Sequence, residues 1–108
     1  MKKFKASVSH HEREVESLRA DRELAVTYLK VAMESLDDPE DRAAGLLAIR
    51  AIVEAYGGFA AVATEAGISR ESLYRSLSPE GNPTLKTLIA VLKTLNMRLS
   101  ISPEEHHS

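Results

Sequence analysis

An all-α fold of five to six helices, closed by a short C-terminal β-strand, is what this sequence predicts. Three observations carry that expectation. Apolar residues recur at helical spacing through most of residues 11–95. Capping residues and glycines interrupt that pattern at short intervals. Only Met97, Leu99 and Ile101 alternate with polar neighbours, the period of a half-buried strand. The chain has 108 residues, a length that suits one compact domain. Hydrophobic residues make up 44% and charged residues 28%, which excludes disorder throughout. There is no cysteine, so disulfides, thiolate metal sites and cysteine nucleophiles are excluded. That usage and the polar residues after Lys2-Lys3 lead one to expect a cytoplasmic protein without a signal peptide. No apolar run approaches the ~20 residues that a membrane span needs.

The elements follow in order. Residues 1–10 read as a flexible tail. Helical character starts near His11, with Val15 and Leu18 three apart. Asp21 is a good N-cap for a second helix, whose stripe is Ala25, Tyr28, Leu29, Ala32, Met33 and Leu36. Asp37-Asp38-Pro39 stops it and starts a third helix, with Asp38 as N-cap and Pro39 at the first position. Leu46, Ile49, Val53 and Tyr56 mark its inner face, and Gly57-Gly58 ends it. A short helix runs from Phe59 to Ala66, and Ser69 caps another over Arg70–Leu77. After the turn Ser78-Pro79-Glu80-Gly81-Asn82-Pro83, Thr84 caps a last helix with the stripe Leu85, Leu88, Ile89, Leu92, Leu95; Asn96 can end it. Residues 103–108 read as a polar tail.

Charge is unevenly placed. Residues 21–56 carry eight acidic side chains against four basic ones, whereas residues 57–102 carry five basic against three acidic. The two parts are therefore suited to partners of different sign. Residues 59–77 hold the informative pattern. Two helices of about two turns are joined by only Gly67-Ile68-Ser69, and such a turn needs a residue that tolerates positive φ. Ala63 is small enough for a close crossing, and Val62, Ile68 and Leu73 close a core around the turn. Arg70, Glu71, Ser72, Tyr74 and Arg75 are left outward, the arrangement by which a helix-turn-helix presents side chains to the major groove.

With Ala63, Gly67, Ile68 and Leu73 as its structural signature, the stretch 40–95 resembles the Cro/Xre helix-turn-helix proteins. The string Leu73-Tyr74-Arg75-Ser76-Leu77-Ser78-Pro79-Glu80-Gly81-Asn82-Pro83-Thr84 is more specific. It looks like the addiction module antidote group, antitoxins related to HigA whose toxins are small RelE/HigB-like ribonucleases. The first 20 residues depart from that group. The resemblance implies a lambda-repressor-like core, a homodimer, a double-stranded DNA operator and a small basic toxin as partner. It places Arg70, Glu71 and Arg75 where bases are read: arginine on guanine, Glu71 on cytosine N4 or orienting Arg75. Ser69 and Ser72 are placed for phosphate oxygens, with Tyr74 on the same face, and Thr84 and Lys86 for clamping the backbone. Residues 11–36 then become a possible partner-binding or dimer region, and residues 37–102 the DNA-binding domain. The acidic load of residues 34–41 suits a basic toxin.

Plainer readings stand beside these. Short helices around a glycine occur in many bundles, and a stand-alone regulator or an interaction module with a vestigial helix-turn-helix would share the same pattern. The stripe of residues 22–36 suits a core as well as a docking surface. Residues 97–101 have no partner strand in the chain. Met97, Leu99 and Ile101 either pair with a second copy across a dimer axis or pack as an extended tail on their own domain. The pairs His10-His11 and His106-His107 lack a third ligand, so no metal and no cofactor are expected. Ser69, Ser72 and Ser76 have no base at a useful spacing, and no catalytic residue is assigned.

Overall fold

The computed structural model describes residues 10–104. Residues 1–9 and 105–108, with most of the expected tails and the His106-His107 pair, lie outside the described residues. Six helices follow one another: α1 (His10–Ala20), α2 (Arg22–Ser35), α3 (Arg42–Ala55), α4 (Gly58–Ala66), α5 (Arg70–Ser76) and α6 (Leu85–Lys93). α1 and α2 both lie against α3, while α4 packs on α5 and α6. All six contribute to one buried apolar cluster. No single helix among the described residues is long and apolar enough to cross a membrane.

The thin stripe of α1 is enough because other groups help. Val15 and Leu18 are buried, and burying a leucine contributes about 1.5–3 kcal/mol. The Tyr56 hydroxyl donates to the Leu18 carbonyl at 2.6 Å, a group in the last turn with no partner inside its own helix. Glu54 of α3 adds a side-chain contact to His11 at 3.1 Å, and its carbonyl accepts from Arg19 at 3.2 Å. The first helix thus begins at His10, one residue inside the expected tail.

Asp21 caps α2 as expected, accepting from the Leu24 N–H at 3.1 Å. The expected start of α3 is corrected. Its first helical residue is Arg42, and Asp38-Pro39-Glu40-Asp41 form a separate turn before it. Asp38 satisfies the Glu40 N–H with its side chain, and its carbonyl accepts from Asp41 and Arg42. The cap is present, but it closes a turn instead of the helix, which starts at Arg42, three residues after the expected first position. Within α3, Leu46, Ile49 and Val53 are buried as expected, together with Ile52.

Two expectations about the C-terminal part are corrected, the first in part. At α6, Leu92 and Leu95 are buried and Leu88 packs on the core as the stripe requires, but Leu85, 61% exposed, and Ile89 lie outside, and Thr87, Ala90 and Val91 are buried instead. The exposed Lys86 and Lys93 sit on the same side as Leu85 and Ile89, so the inward face is turned toward Val91 from the expected stripe. Residues 97–101 form no strand; none occurs among the described residues. Asn96 takes φ +57°, and the Met97 N–H returns to the Leu92 carbonyl at 3.0 Å, ending α6 in a left-handed cap. Met97 leans on the core, but Leu99 is exposed and Ile101 is 97% exposed. A strand needs a neighbour's edge for its hydrogen bonds, and this chain provides none here.

Candidate nucleic-acid interface

The turn between α4 and α5 is built as its residues require. Gly67 sits at φ +74°, and the Ile68 N–H reaches back to the Ala63 carbonyl at 3.0 Å. Ala63 is buried, Leu73 is fully buried, and Ile68 is half-buried against the same cluster. Ser69 accepts from the Ser72 N–H at 3.0 Å and so starts α5. These contacts hold a seven-residue helix that is too short to persist alone.

With Leu73 pointing inward, Arg70, Glu71, Tyr74 and Arg75 are all exposed. The same four residues, with Glu54 and Phe59, line a shallow cleft of about 400 Å³. The hydroxyls expected near phosphates are partly engaged. Ser69 has its cap, and Ser72 accepts from the Arg75 guanidinium at 3.4 Å. Thr84 is engaged more fully: its hydroxyl accepts from the Thr87 N–H and donates to Thr87 Oγ1, both at 3.1 Å. What the start of α6 offers outward is Lys86, which is exposed. Its ammonium stands 3.1 Å from where a Cβ on Gly67 would lie. A lysine 19 residues downstream is thereby brought over the α4–α5 turn, beside the cap of α5. Lys93 is removed from the free positive charge, because it pairs with Glu65 at 3.0 Å. Met97, Leu99 and Ile101 are not brought together as one face.

Three residues matter that spacing did not single out. The Arg50 guanidinium of α3 lies 4.1 Å from the centroid of the Tyr74 ring. The Phe59 ring holds the same tyrosine at 5.4 Å between centroids, with 51° between planes. Arg42 reaches in the other direction, donating to the Leu36 and Gly81 carbonyls and to Asn82 Oδ1. It ties the Pro-Glu-Gly-Asn turn to the start of α3. The outward aromatic Tyr74 is the one signal in the sequence for a stacking partner. Arg42 and Asn82 are 40 positions apart, and no local pattern joins them.

A family model described as a probable addiction module antidote protein matches residues 11–103. The chain belongs to this family. The match takes in nearly all of α1 and all later helices, so the expected departure of the first 20 residues holds at most for residues 1–10. The chain is also similar to an uncharacterized protein of Haemophilus influenzae, with 50% identity over 40 residues. That stretch is 37% of this chain and 41% of the relative, so less than half of either protein is aligned. No solved structure matches.

Proposed function

We propose that this antidote-family protein is a Cro/Xre-type, HigA-like antitoxin: a cytoplasmic homodimer that binds an operator, represses its own operon and neutralises a RelE/HigB-like ribonuclease. The observation that carries the reading is the outward row Arg70, Glu71, Tyr74, Arg75 on the helix after the left-handed Gly67 turn. Arginine can take guanine O6 and N7 in two parallel hydrogen bonds, and Glu71 can accept from cytosine N4. Lys86, lying over the turn, supplies a phosphate contact at the near end. Ser69 and Ser72 still carry hydroxyl protons for phosphate oxygens, whereas Thr84 would act through its backbone. Two such helices about one DNA turn apart fit a pseudo-palindrome.

The toxin half of the reading is supported by family membership and by the acidic segment. Glu34, Asp37, Asp38, Glu40 and Asp41 are all exposed at the α2–α3 junction. Next to them an apolar groove of about 300 Å³ runs between α2 and α3, past Tyr28, Val31, Ala44 and Ala48. An apolar strip beside acids suits a small basic protein.

The test is selection of bound duplexes from a random library, run beside the R70A/R75A protein. Enrichment of a palindrome by the natural protein alone supports the reading. No enrichment by either protein overturns it and turns attention to the α2–α3 groove.

A further inference from the structure

We propose that Arg50, on α3, is a further contact of this protein with the phosphate backbone of duplex DNA. It lies outside the helix-turn-helix row and is held ready by Tyr74. The proposal rests on the DNA-binding reading and extends its surface to a third helix.

The geometry is specific about which part of the guanidinium is used and which is left. Arg50 Cζ stands 4.1 Å from the Tyr74 centroid, a stacking distance. Stacking engages the face of a planar guanidinium and leaves its N–H donors, which radiate in the plane, for other partners. Among the described residues no ion pair involves Arg50; Glu54, one turn on, is paired with His11 at 3.1 Å instead. A half-buried guanidinium that stands against a ring without an ion pair keeps its in-plane donors available for an anion.

Tyr74, half-exposed itself, is packed on another side by Phe59 at 5.4 Å between ring centroids. The result is a short stack, Phe59–Tyr74–Arg50, whose tyrosine belongs to the row that carries Arg70 and Arg75. Arg50 is thereby fixed at the border of that row, with its side chain half-buried and its fork pre-ordered. A fork in this state matches the two oxygens of a phosphate and loses little freedom on binding. Base reading is not the natural role, since a stacked guanidinium cannot advance deep into a groove without leaving its ring. The charge also changes the electrostatics: Arg50 sits in the acidic part of the sequence, yet in space it adds to the positive face of α5.

The probe is a random-sequence 20-base-pair duplex titrated between 50 and 300 mM salt, with the full chain and the variants R50A, R50K, K30A and R70A/R75A. R50A is expected to weaken binding about tenfold at the lowest salt, as for loss of a charge-assisted contact. It should also flatten the plot of log K against log salt by about 0.9 per bound protomer. R50K keeps the slope but loses several-fold in affinity, because an ammonium lacks the stacked fork. K30A, an exposed charge on α2, changes neither. Unchanged slope and affinity in R50A, with R70A/R75A still impaired, overturn the proposal and leave the DNA-binding reading standing. If the natural protein shows no salt-dependent binding at all, both fall together. Melting of each variant by circular dichroism identifies any loss due to misfolding, and R50K, which retains the aliphatic stem, then decides the case.

Discussion

Gly81 shows how much one hydrogen atom can decide. A Cβ added there would overlap the Ser76 carbonyl and crowd the Arg75 carbonyl, so the turn after α5 can close only around a glycine. G81A is expected to cost about 1–3 kcal/mol, the usual range for forced overpacking. Thermal unfolding should then fall by roughly 4–8 °C for each kcal/mol lost. A melting temperature within a degree of the natural protein would show that the turn has room to open. Tyr56 is the second case. Its hydroxyl donates to the Leu18 carbonyl at 2.6 Å, and Y56F removes that donor while keeping the ring in the cluster. The expected loss is about 1 kcal/mol, with α1 loosened more than the rest. Hydrogen exchange separates the two effects: amides of residues 15–20 should exchange faster, and those of α6 should not.

At the scale of elements, caps decide what the short helices can do. Ser69 and Thr84 each accept from the N–H three residues on. S69A is expected to cost about 1 kcal/mol, and because α5 has only seven residues that loss falls on its population as a helix. Duplex binding should weaken in parallel although Ser69 itself need touch no base. Equal binding by S69A would mean that contacts alone hold α5. These caps were legible in the sequence, since a serine or threonine before a helical stripe has few other uses. The inward face of α6 was legible only in part. Leu92 and Leu95 are buried and Leu88 packs on the core as the stripe Leu85, Leu88, Ile89, Leu92, Leu95 requires, but Leu85 and Ile89 lie outside and Thr87, Ala90 and Val91 turn inward. The leucines alone set the phase one row off, whereas the exposed Lys86 and Lys93 mark the outer face. The strand at 97–101 failed because alternation describes what a strand would bury, not whether an edge exists to receive it. In the candidate site, the outward row of α5 was legible because Gly67 and Leu73 fix its orientation. Arg50 was not, because the stack that holds it joins residues 24 positions apart on different helices.

For the whole molecule, the arrangement of charge leads to a quantitative expectation. The chain carries a formal net charge of −2, and a uniform acidic body would not bind duplex DNA. What counts is the number of phosphates neutralised, because each releases bound counterions and adds about −0.9 to the slope of log K against log salt. Lys93 is excluded by its ion pair with Glu65. On the proposed reading, if Arg70, Arg75 and Lys86 of each copy in a dimer each neutralise one phosphate, about 6 are neutralised and the slope is about −5. With Arg50 included the count rises to about 8 and the slope to about −7. The exposed acids of residues 34–41 release no counterions; they act as repulsion within a Debye length of about 10 Å at 0.1 M salt. Neutralising two of them, D37N/D38N, should therefore raise affinity slightly at low salt and leave the slope unchanged. A slope that changed with these substitutions would place the α2–α3 junction on the DNA itself, and would end the assignment of opposite charges to separate partners.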